Sequence, residues 1–158
     1  MTLDLITRTA GLIAVLATAV VYGTDVFCAI VLRPALAAID DHALVAVTGN
    51  VHRYGDRRMP IPGALGVLAA ASAAVLAAVA GHWTPAIAAG TAVLLLVTWL
   101  VLYTQISAPI NRQLTTAANA ANIPPNARAL QTKWDSIINA RAALQGLAVA
   151  ALCVVLMT

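Results

Sequence analysis

Asp25 and His52 carry groups that could move a proton in this 158-residue sequence. Carboxylate and imidazole are common general acid–base groups. Arg141 cannot play that part, because a guanidinium keeps its proton, but its N–H fork can orient a carbonyl, phenolate or carboxylate oxygen. The amides of Gln105 and Asn111 offer further polar contacts, and Tyr22, Tyr103 and Trp134 add aromatic faces with a polar edge. Such a set suits proton abstraction from a small, flat, apolar molecule whose oxygens are held in place. Blander readings stay open: His42 and His52 as surface histidines of a loop, and Asp25 with Arg141 as an ion-pair clip between helices. Nothing has the spacing of a Ser/His/Asp triad, a phosphate-binding loop, a dinucleotide fingerprint or a cysteine–histidine metal site.

The elements that must position these residues follow from composition. With 61% hydrophobic and 9% charged residues, the chain cannot solvate a globular surface, since soluble domains carry about a quarter charged residues. The class is an all-α membrane protein. Four apolar runs, 5–32, 61–80, 85–106 and 137–157 in approximate bounds, can each cross a hydrocarbon core of roughly 30 Å. They predict one domain over residues 1–158, an antiparallel bundle of four transmembrane helices. Arg33-Pro34 should end the first helix and Pro109 the third, because the residue before proline resists helix. "GHWTP" predicts a tight hairpin, with Gly81 as C-cap, Thr84 as N-cap and Pro85 as the first helical residue. In the first long loop, Leu44, Val47, Val51 and Tyr54 recur at helical spacing and predict an amphipathic surface helix after Asp40 or Asp41. In the second, "IPP" breaks the chain, and Asn126 can cap a helix that starts at Ala127 and runs into the last span.

Polar residues within the spans also fall at helical spacing: Thr18, Tyr22, Asp25 and Arg33, then Thr91, Thr98 and Gln105, then Trp134, Arg141 and Gln145. In lipid such groups turn inward to be satisfied. Three helices are therefore expected to point polar stripes at one interior, with Asp25 and Arg141 paired at matched depth as the floor of a cavity. Cys28 and Cys153 fall at opposite depths in this arrangement, which predicts free thiols. The small residues Gly66, Ala70, Ala74 and Ala78 suit close helix packing and leave open a homo-oligomer or membrane-protein contact. The basic residues cluster in the two long loops, which predicts a multi-pass cell-membrane protein with those loops cytoplasmic and both termini outside. A net charge of +3 without a basic tail gives no reason to expect nucleic acid. Arg8 followed by an apolar run reads as a retained first helix rather than a cleaved signal.

The layout resembles the anthrone-oxygenase-like family of small membrane proteins. The likeness rests on "RPAL" after the first span, "PINRQL" after the third, and a tryptophan and an arginine seven residues apart entering the fourth: Pro109, Asn111, Leu114, Trp134 and Arg141. It implies a four-helix membrane fold. It also implies oxidation of a small aromatic anthrone by dioxygen without a metal or organic cofactor. One position departs from the pattern. Where the family often carries a histidine, four residues after the tryptophan, this chain has Ile138. A base would then have to come from Asp25, His52 or Tyr103. The competing expectation is a non-catalytic membrane subunit or small-molecule-binding protein. A proton-coupled transporter fits less well, because the sequence has no inverted repeat.

Overall fold

Pro34 and Pro109 lie inside helices rather than at their ends. The computed structural model describes residues 3–158, and its regular structure is helical throughout. Four helices are long and apolar enough to cross a membrane: α1 (Leu3–Ala37), α3 (Pro60–Val79), α4 (Trp83–Asn119) and α5 (Ala127–Met157). Between the first two lies α2 (Asp41–Arg58). A proline removes one N–H donor, and its ring presses on the carbonyl four residues back. Here a π turn precedes each proline, Cys28–Leu32 in α1 and Tyr103–Ser107 in α4. The N–H of Arg33 reaches back to the carbonyl of Cys28, and that of Ala108 to the carbonyl of Tyr103. The wider turn accommodates the ring, so α1 continues to Ala37 and α4 to Asn119, well past the expected ends at 32 and 106.

The other boundaries follow local chemistry. The carboxylate of Asp40 accepts the N–H of Ala43 at 2.8 Å and opens α2. Gly81, at φ +77°, closes α3, with the N–H of His82 bonded to the carbonyl of Ala77 at 2.9 Å. Helix α4 then starts at Trp83, one residue before the expected cap at Thr84. Pro85 falls in its first turn, where no N–H donor is needed. Helix α5 begins at Ala127 and runs unbroken for 31 residues.

The chain divides into two compact units. The first holds the residues up to Gly23, Ile61–Trp99, and those from Ala143 onward. Asp4 and Arg8 are its only Asp, Glu, Lys or Arg residues. Arg8 reaches the carbonyl of Thr158, and a Cβ on Gly146 would meet the ring of Tyr22, so α1 and α5 run in opposite directions here. Its packing is the reverse of a soluble core. Ala14, Ala70, Ala73, Ala89, Ala92 and Ala148 are fully buried, whereas Leu68, Val75, Val79, Ile87 and Leu94 are 62–73% exposed. Small residues bring the helices close and large apolar side chains face outward, which is favourable only if the surroundings are apolar.

The second unit comprises Thr24–Pro60 and Leu100–Ala142 and carries every other charged residue. Its main contact is α2 against the end of α4. A Cβ on Gly49 would collide with the methyl of Ala118 and lie 2.7 Å from the carbonyl oxygen of Leu114. This close approach selects the buried face of α2: Leu44, Val45, Thr48, Gly49 and His52. Of the apolar stripe read as a surface helix, Leu44 is buried, while Val47, Val51 and Tyr54 are exposed. A glycine that lets two backbones meet has outweighed the larger apolar side chains.

Candidate functional site

Helices α1, α2, α4 and α5 bring a polar cluster together within the second unit. Asp25 comes from α1. His52 and Asp56 are one turn apart on α2. Tyr103, Ser107 and Asn111 recur every fourth residue through the π turn of α4. Trp134 and Arg141 lie two turns apart on α5, with Ile138 between them. Asp25, His52, Ser107, Asn111, Trp134 and Arg141 are buried.

The centre is an ion pair. Nη2–H of Arg141 donates to Oδ1 of Asp25 at 2.7 Å, and Nη1–H donates to Oγ of Ser107 at 2.8 Å. The guanidinium carbon lies 5.5 Å from the Tyr103 ring centroid and 5.4 Å from that of Trp134. Those ring faces suit a cation removed from water. The expected pairing of Asp25 with Arg141 is present.

A hydrogen-bonded chain runs beside the ion pair. The Tyr103 hydroxyl donates to Oδ1 of Asp56 at 2.7 Å, and Nδ2–H of Asn111 donates to the same oxygen at 2.8 Å. Oδ1 of Asn111 in turn accepts Nε1–H of Trp134 at 3.0 Å. Each of these polar groups is satisfied by another, as burial requires.

His52 packs beside this chain. Its ring lies 5.5 Å from that of Trp134, centroid to centroid, at an interplanar angle of 43°. Its Nε2 is buried and meets no hydrogen-bond partner among the described residues. Burial pushes the imidazole down from 6.5 to about 4; the charge of Asp56 opposes that shift and that of Arg141 reinforces it. His52 is therefore neutral at physiological pH, with a lone pair or N–H at Nε2 that nothing among the described residues occupies. It is a core residue, not the surface histidine that its place in a loop suggested.

Two sequence candidates lie elsewhere. Gln105 is exposed, as are Thr91, Thr98 and Arg33, so the expected stripe on α4 does not face inward and the α1 stripe stops at Asp25. Threonines need no inward partner: the hydroxyl of Thr98 bonds the carbonyl of Leu94 at 2.9 Å in its own helix. Tyr22 belongs to the first unit, where it is half-buried against Gly146. Asp56 and Ser107 were not anticipated. For Asp56 a signal existed, since it follows His52 by four residues on one helix.

Ile138 is fully buried in an apolar cluster with Cys28, Ile110, Leu114 and Trp134. The imidazole against Trp134 comes from α2 instead of α5. A surface recess of about 580 Å³ in the same unit is lined by Pro109, Arg112, Gln113, Asn126 and Leu130 among others, none of them a candidate residue.

No protein-family model, curated protein or solved structure matches the chain.

Proposed function

We propose that this chain is a multi-pass membrane protein that binds a small, flat, apolar aromatic molecule beside Trp134 and abstracts a proton from it with His52. The observation that carries this reading is the buried, neutral imidazole of His52, whose Nε2 meets no hydrogen-bond partner among the described residues. An unsatisfied buried nitrogen is costly to the fold, and a ligand group that reaches it recovers that cost. The oxygen of Asp25 already receives the Arg141 guanidinium, so its assigned role is to hold Arg141. The reaction is of the anthrone-oxygenase type. A C–H proton passes to Nε2, the resulting carbanion is oxidised by dioxygen, and a methylene plus O2 becomes a ketone plus water. Arg141, Asn111 and Tyr103 would orient the substrate oxygens.

The test is oxygen uptake by purified protein with an anthrone, set against His52→Gln and His52→Ala variants. Uptake at the uncatalysed rate would reject the oxygenase reading. Uptake that survives both substitutions would keep the enzyme and reject His52 as its base.

The mutual hydrogen bonding of Asp25, Asp56, Tyr103, Ser107, Asn111, Trp134 and Arg141 favours a second reading. In it the cluster is a structural clip in a non-catalytic membrane subunit. Bound aromatic probe that quenches Trp134 fluorescence favours the first reading, and its absence the second.

The first unit's outward leucines and valines support its immersion in lipid. The basic residues of the two long loops favour a cytoplasmic side for those loops by the positive-inside rule. Strong cytoplasmic activity of a reporter fused at Thr158 would reject that orientation.

A further inference from the structure

We propose that the outer face of α2 is a binding surface for the phosphate headgroups of anionic phospholipids. Its inner face is spent on α4 and α5, through Leu44, Val45 and Gly49, with His52 against Trp134. What remains outward is Val47, Val51 and Tyr54, which follow one another along the helix and are 39%, 44% and 48% exposed. They lead to Arg57 and Arg58, both exposed. The Tyr54 ring sits between two guanidinium groups, 5.0 Å from that of Arg53 and 5.2 Å from that of Arg58.

Charge decides what fits. The acid in this half of the helix, Asp56, is turned the other way and accepts from Tyr103 and Asn111. Arg57 and Arg58 therefore present positive charge without a carboxylate on their own face. Chain connectivity supplies the position. Met59 alone separates Arg58 from Pro60, the first residue of a helix long and apolar enough to cross a membrane. Three residues separate the other end of α2 from Ala37, the last residue of another. A helix tethered this closely at both ends stays within reach of a bilayer surface. An apolar ridge with an aromatic residue and adjacent arginines is the pattern that settles among anionic headgroups.

The test uses the full chain in nanodiscs of phosphatidylcholine and phosphatidylglycerol, with retained lipid measured after detergent extraction. A basic residue near an anionic surface contributes about fivefold in affinity, so the arginine pair should contribute about 30-fold. Wild type is expected to retain phosphatidylglycerol preferentially. R57Q/R58Q should lose most of that preference, and R57K/R58K should keep it, which separates lost charge from lost fold. Equal retention by wild type and R57Q/R58Q would overturn the proposal. Displacement of the lipid by millimolar inorganic phosphate would also overturn it, by assigning the surface to a free anion.

Discussion

Asp25 and Arg141 should be strongly coupled in stability, and a double-mutant cycle measures this directly. Their side chains are 3% and 6% exposed, and the N–O distance is 2.7 Å. Removing one partner of a buried pair strands the other charge and costs about 3–5 kcal/mol. Asp25→Asn belongs near the lower end, because Arg141 keeps Ser107 and the faces of Tyr103 and Trp134. Arg141→Met belongs near the upper end, because it strands a carboxylate and also takes the donor from Ser107. The singles then sum to about 8 kcal/mol, while the double variant leaves no charge behind and should cost at most about 4 kcal/mol. The assay is reversible unfolding in mixed micelles, with all variants at one lipid-to-detergent ratio. Costs that add within about 0.5 kcal/mol would refute the reasoning, since uncoupled sites behave in that way.

Asp56→Ala should destabilise by about 2–4 kcal/mol in the same assay, because the Tyr103 hydroxyl and the Asn111 amide both lose their acceptor; a cost below about 0.5 kcal/mol would mean that water replaces the carboxylate. Gly49→Ala should cost about 1–3 kcal/mol by overpacking against Ala118 and Leu114, and unchanged unfolding would show that α2 shifts freely on α4. His52 titrates at about 4 in the fold against 6.5 when unfolded. The unfolded state therefore binds the extra proton between those values, so His52's contribution is full above pH 6.5 and shrinks as pH falls towards 4, by about 3 kcal/mol in all. That slope should vanish in His52→Gln.

The parts of this structure that could be read in the sequence are those governed by one local rule. Asp40 caps a helix because its carboxylate reaches the N–H of Ala43. Asp25 meets Arg141 because inward-facing charges at matched depth have few other partners. The parts that could not be read depend on distant elements or on altered register. Counting sevens from Thr91 and Thr98 reaches Gln105, yet Thr98, bonded to the carbonyl of Leu94 in its own helix, places no demand on facing. Beyond Leu102 the π turn also changes the count. Ser107 gives no sign within an apolar run that it accepts from an arginine on another helix. The burial of His52 depends on Gly49 meeting the α4 backbone, a fit between two elements that a single helix's pattern does not encode.

That fit gives α2 two roles through one register. Leu44, Val45 and Gly49 point towards α4 and His52 towards Trp134, and from the same helix Val47, Val51, Tyr54, Arg57 and Arg58 point out. Rotating α2 by one residue, about 100°, would carry His52 away from Trp134 and strip Asp56 from Tyr103 and Asn111. The collision that a Cβ at Gly49 would meet leaves little room for another packing. The imidazole is thus held by packing of α2 against Trp134, while position 138 of α5 is the apolar Ile138. A base carried on a separate helix can be displaced without disturbing the Asp25–Arg141 pair. On the proposed function, substitutions on the buried face of α2 should therefore lower oxygen uptake with an anthrone while leaving that ion pair intact.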